Sequence, residues 1–134
     1  MKIGKYSIGV GDRFAHEAGA QLKALVKAKK ELGIDITPVW NKSNREHNLI
    51  GSNPSDTRRV IDATIGTAKW DGDYFLDADH INLSNVDRFL EPCDFFTLDV
   101  ADYIGKPSSA QEIETFLSKY GQFAGTLNIN GLEP

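Results

Sequence analysis

Four times along this chain a short run of apolar, β-favouring residues gives way to a longer segment with helical spacing, and that alternation leaves few folds open. Strands alternating with helices pair in parallel, each helix serving as a right-handed crossover to the next strand. The expected class is therefore α/β, built of alternating βα units with parallel strands. The strand-like runs are Tyr6–Gly11, Ile36–Trp40, the start of Tyr74–His80, and Asp94–Asp99. Runs such as Tyr74-Phe75-Leu76 lack polar alternation, which predicts burial on both faces.

The segments between them carry their own punctuation. A helix is predicted from about Ala15 to Leu32, with Leu22, Leu25, Val26 and Leu32 near one face and Gly33 as its left-handed stop. His16, at its start, reads as a surface or capping residue. Residues 41–51 are mostly polar and read as a long loop, which at the catalytic face of such a fold tends to be functional. A second long helix opens at Asn53-Pro54, with Val60, Ile61, Ala63, Thr64 and Ala68 on its apolar side and Trp70 as a packing anchor after it. Ser84-x-x-Asp87 predicts a capping box for a short helix with Val86, Phe89 and Leu90 inward. Ser109-x-x-Glu112 caps a last helix, and residues 125–134 could begin a fifth strand. Pro38, inside the second run, calls for an edge, a first position or an irregularity.

Composition narrows the partners. A chain of 134 residues, 40% hydrophobic, is one domain's worth and large enough to bury a core. A formal net charge of -4 offers no field to attract nucleic acid or an anionic membrane. No apolar run approaches the roughly 20 residues of a membrane span and no signal peptide is visible, so the expected location is cytoplasmic. Cys93 is the only cysteine, which excludes an internal disulfide and reads as a small buried residue.

Chemistry gathers where the strands end. The termini offer Asp12 and Arg13; then Arg45, Glu46 and His47; then Asp77, Asp79 and His80; then Asp99 and Asp102. In parallel α/β folds the carboxyl ends of the strands are where ligands bind. Extension through residues 77–79 places Asp77 and Asp79 on one face, where two carboxylates are comfortable only beside a cation, a shared proton or water. A divalent metal answers that need, and mixed oxygen and imidazole donors suit zinc, manganese, nickel, cobalt or iron. Gly9-x-Gly11 does not make a dinucleotide fingerprint, since the third glycine is missing and Asp12 stands where a pyrophosphate would lie.

Four motifs taken together resemble the tagaturonate epimerase family: Gly9-Val10-Gly11-Asp12-Arg13, Ser43-Asn44-Arg45-Glu46 with Gly51 five residues on, Asp77-Ala78-Asp79-His80, and Thr97-Leu98-Asp99 with Asp102. The resemblance runs from about residue 6 to 105. It implies a TIM-like (β/α) barrel of which this chain is about half, and a metal-dependent isomerase that interconverts tagaturonate and fructuronate in hexuronate catabolism. Within it Asp79 is the expected proton acceptor, His80 the metal ligand and Glu46 a second candidate base. Asp12, Arg13, Arg45, Asp77 and Asp99 are the expected substrate contacts, with the arginines suited to the substrate carboxylate. Family members continue well beyond this length, and their remaining ligands lie in the part absent here. Two other readings stay open. One is a receiver-like open α/β domain. The other is a non-catalytic half-barrel that pairs with itself or with a missing C-terminal half covering its sheet edges.

Overall fold

The computed structural model describes residues 3–125. The chain divides into two compact units, 1–100 and 101–134.

In the first unit the strands are β1 (Ser7–Gly11), β2 (Thr37–Ser43), β3 (Phe75–Ile81) and β4 (Phe95–Leu98), all parallel and ordered β1-β2-β3-β4. The four alternating βα units are thus as expected. A receiver domain has the order 2-1-3-4-5, with a reversal between its first two strands, so this topology retires the receiver-like reading. Without a reversal, right-handed crossovers put every helix on the same side of the sheet, which is how a barrel wall is wound.

That side holds the core. Helix α1 (Ala18–Leu32) and helix α3 (Pro54–Ala68) pack Ala18, Leu22, Ile61 and Ile65 against Trp40, Leu76 and Ala78 of the sheet. Phe89 and Cys93 complete this layer, so the cysteine is buried as expected. Val26, Leu32 and Val60, assigned inward from spacing, are exposed. Helix α1 begins three residues later than expected and ends on Gly33, whose φ of 67° is the left-handed stop.

The other side of the sheet carries Gly9, Gly11, Val39, Asn41, Phe75, Asp77, Phe95 and Thr97, matched by register across the strands. Expected burial on both faces is therefore corrected: Phe75, Phe95 and Val39 are only half-buried, and Thr97 is exposed, because helices cover one face alone. Phe75 and Phe95 meet edge to face at 5.4 Å there. Pro38 lies in an interior strand, yet costs no ladder bond. Thr37 donates its N–H to Tyr6 on the β1 side, so the proline's missing N–H falls on the β3 side, where pairing starts only at Val39–Phe75.

Residues 41–51 are not a loop. Strand β2 continues through Ser43, and helix α2 (Asn44–Ile50) follows at once, stopped by Gly51 at φ 67°. Ser43-x-x-Glu46 is a capping box of the same form recognised at Ser109: the Ser43 N–H and hydroxyl both donate to Glu46, whose own N–H returns to the Ser43 oxygen. The Ser84–Asp87 box does not form. Residues 86–89 make a single 3₁₀ turn entered through Asn85, whose side chain accepts the Asn82 N–H, and Leu90 is exposed while Phe89 is buried.

In the second unit, helix α4 (Ala110–Tyr120) starts on the expected Ser109–Glu112 box. The proposed fifth strand lies largely outside the described residues.

Candidate functional site at the strand ends

The site begins with an irregularity in β3. Asp77 and Ala78 pair with Phe95 and Phe96, but Ile81 pairs with Leu98, so β3 uses one residue more than β4 between those points. The surplus is a β-bulge centred on Asp79 and His80, and His80 absorbs it with a left-handed φ of 57°. Regular alternation after Leu76 and Ala78 would drive the imidazole into the core. With the bulge Ile81 takes that inward place, and the His80 side chain stands 67% exposed. Non-glycine residues hold this conformation at a cost, and such strain is concentrated at functional sites.

Asp79, on the same face as Asp77, brings Oδ2 to 2.8 Å from His80 Nδ1. Asp77 has a different partner. Its Oδ2 accepts the Thr97 hydroxyl at 2.7 Å, while Oδ1 is buried without a partner. Burial pushes the Asp77 carboxyl above its ordinary range, with the Asp79 charge adding to the rise and the Thr97 hydroxyl opposing it.

Arg45, His80 and Asp99 share one cleft of 430 Å³, together with Ser43, Asn44, Asn48, Asn82 and Asn85. Arg45 is exposed and has no ion-pair or hydrogen-bond partner among the described residues. Asp12, Arg13 and Glu46 form a different cluster. Asp12 caps the entry to α1 by accepting the Glu17 N–H. Arg13 Nε donates to Glu46 Oε1 at 3.2 Å, and the other Glu46 oxygen closes the capping box. Burial alone would raise the Glu46 pKa, but the Ser43 N–H, the Arg13 guanidinium and the Ser43 hydroxyl outweigh it and hold the carboxyl below its usual range. A carboxylate so engaged holds structure together and is a poor proton acceptor. Asp102 belongs to the second unit.

Lys42 and Arg88 shape the site without a signal read from sequence, and His47, one of the expected strand-end groups, is buried instead of open. Lys42 is buried and donates from Nζ to the Arg13 carbonyl, tying the β1–α1 loop to β2; burial lowers its pKa against the pull of Asp12 and Glu46. His47 is buried, its Nδ1 2.9 Å from the Ser52 hydroxyl, with its pKa lowered to about 4 by burial and by Lys42 and Arg88. Arg88 reaches back to Asn44, Asn48, Ser52 and Asn53. Only the Ser43–Glu46 box was a legible signal; it would have placed α2 and turned Asn44 and Asn48 onto one helical side.

Among the described residues no three of histidine, cysteine, aspartate and glutamate gather into a group that could hold a metal ion. Asp79 and His80 do have the arrangement of a metal-binding histidine, whose one ring N–H is fixed by a carboxylate so that the other nitrogen is left for the ion. They fit as one ligand with its orienting partner.

A singly wound parallel sheet with its polar and ionisable groups at the carboxyl ends defines part of a (β/α)-barrel wall. No family model matches this chain, and no curated protein does. Among solved structures it is similar to the fructuronate-tagaturonate epimerase of Cohnella laeviribosi, crystallised with two glycerols. The TM-score is 0.64 and the identity 20%, over 89% of this chain and 25% of that one. At that identity the likeness is one of fold, and this chain spans about a quarter of that protein's length. No helix among the described residues is long and apolar enough to cross a membrane.

Proposed function

We propose that this chain forms one side of the active site of a metal-dependent sugar-acid epimerase, acting on a keto-uronate of the tagaturonate and fructuronate type in the cytoplasm. The observation that carries the reading is the β3 bulge, which spends backbone strain to turn His80, braced by Asp79, toward a polar cleft in a fold shared with such an epimerase.

The carbon inverted between these two uronates is a carbinol two bonds from the ketone, so its C–H is not acidified. Inversion by retro-aldol cleavage avoids that difficulty. Asp79 Oδ1 accepts the carbinol hydroxyl proton, and the neighbouring C–C bond breaks. Its electron pair passes into the ketone to give an enediolate, and the carbinol carbon becomes an aldehyde. The aldehyde rotates, the bond re-forms on its other face, and Asp79 returns the proton to the new alkoxide. His80 Nε2 would hold a divalent cation, with further ligands from beyond the described residues; when bound, the cation supplies Lewis acidity at an oxygen gaining negative charge. Arg45 is the guanidinium open to the substrate carboxylate. Glu46 and Arg13 keep the β1–α1 loop and α2 in place, and Asp77 supports the sheet beneath Asp79.

The edges of the described sheet, β1 and β4, support a second element of the reading. A further set of strands, from a second copy or from the remainder of a longer chain, covers them and completes the site.

The test is titration calorimetry of the metal-stripped chain with manganese, nickel and zinc, for wild type and His80→Ala. Stoichiometric binding of one ion that the substitution abolishes supports the reading. Binding of an ion that the substitution leaves unchanged contradicts it.

A further inference from the structure

The cleft between α2 and the β3 bulge has one wall made of side-chain amides, and their polarity is fixed by a residue outside it. Arg88 donates from one terminal nitrogen to Asn44 Oδ1 at 2.8 Å and to Asn48 Oδ1 at 2.9 Å. A guanidinium has only donors, so it must take the oxygen end of each carboxamide. The Nδ2 groups of Asn44 and Asn48 are then left over as donors, and neither has a partner among the described residues. Arg45, on the same short helix and also unpartnered, lines the same cleft. Three donor-only groups stand together there, one of them a permanent cation.

The opposite wall differs. It carries His80, Asn82, Asn85 and Asp99. There the Asn82 oxygen is taken by Ser84 and the Asn85 oxygen by the Asn82 N–H, while the Asp99 carboxylate brings negative charge. The permanent cation of the cleft is on the Arg45 wall, so an anion is best accommodated there. A ligand suited to both has a carboxylate at one end and hydroxyls at the other.

We infer that Arg45, Asn44 and Asn48 form the carboxylate subsite of this cleft, that Arg88 is the positioning residue that sets its polarity, and that a bound sugar acid lies with its carboxylate toward α2 and its polyol chain toward His80. The inference rests on the sugar-acid reading and adds the ligand's direction. Arg13, whose Nε is bonded to Glu46, does not line this cleft.

The test uses ¹⁵N-labelled chain titrated with tagaturonate and, separately, with the neutral ketose tagatose, following the side-chain amide signals of Asn44 and Asn48 and the Nε–H signals of the arginines. Tagaturonate is expected to shift both amide pairs and the Arg45 signal saturably, binding at least tenfold more tightly than tagatose. Asn48→Asp keeps an oxygen for Arg88 but replaces the open donor with charge. It is expected to weaken tagaturonate at least tenfold and leave tagatose unchanged, while Asn48→Gln, which keeps the donor, retains most of the affinity. Arg88→Met frees both amides to rotate and is expected to erase the preference for the acid; where that variant is poorly folded, Asn48→Asp decides. If tagaturonate binds with shifts centred on Arg13 while Asn44 and Asn48 stay silent, the subsite is wrong and the sugar-acid reading survives. If neither tagaturonate nor tagatose binds, both fall together.

Discussion

At the scale of single residues, His80 holds a strained backbone conformation while its ring stands exposed. Its left-handed backbone costs roughly 1 kcal/mol relative to glycine, and its exposed ring makes only the bond to Asp79. His80→Gly is therefore expected to raise stability by about 1 kcal/mol in urea denaturation while removing the imidazole; a clear loss of stability would show that the ring itself holds the bulge together. His47 makes the opposite bargain. It is buried, and burial together with Lys42 and Arg88 depresses its pKa to about 4, against the weaker pull of Asp56 and Glu46. An unfolded histidine titrates near pH 6.5. The folded state therefore binds fewer protons than the unfolded state between those values, so the contribution is complete above pH 6.5 and disappears as pH falls toward 4. The loss, on the order of 2 kcal/mol after allowance for partial hydration, should appear in the urea midpoint of wild type over that range and be absent from His47→Gln. Asp77 runs the other way, since a carboxyl raised by burial favours the folded state at low pH, and its effect partly offsets the histidine's.

At the scale of elements, the strands and long helices were legible because hydrophobic spacing and caps act locally. Asn53-Pro54, Gly33 and Ser109-x-x-Glu112 mark helix ends where the structure has them. The misreadings share a cause. The segment 41–51 is polar because its side chains bond to the chain itself, Lys42 to the Arg13 carbonyl and Glu46 to Ser43, so polarity there marks internal bonding and not a loop. Ser84-x-x-Asp87 has the pattern of a cap, but the Asn82 side-chain oxygen takes both the Ser84 N–H and the Ser84 hydroxyl. Asp79 and His80 stand out in the sequence, yet the bulge that keeps both side chains out of the core depends on β4 and has no local signature. Since α2 has only seven residues, its box matters more than a cap on a long helix. Ser43→Ala is expected to cost about 1 kcal/mol and to raise hydrogen exchange across 44–50, with α3 unaffected. Uniform exchange change through both helices would mean that they unfold as one piece.

At the scale of the whole molecule, strand order carries most of the account. The sequential order β1-β2-β3-β4 puts the helices on one face, brings the strand ends to one rim, and leaves a face with Val39, Phe75 and Phe95 half-covered. Alternation in the sequence predicted parallel pairing, but pairing order is a long-range property that no stretch of residues encodes by itself. The separation of Arg13 and Glu46 from the cleft holding Arg45 and His80 was invisible for the same reason. The central claim is that the bulge presents His80 as a metal ligand at this rim, and paramagnetic broadening by substoichiometric manganese in the NMR spectrum of this chain tests it most directly. The expected result is broadening centred on Asp79 and His80, fading through Arg45 and Asn82, and absent in His80→Ala. Broadening centred on another cluster, or none at all, would contradict it.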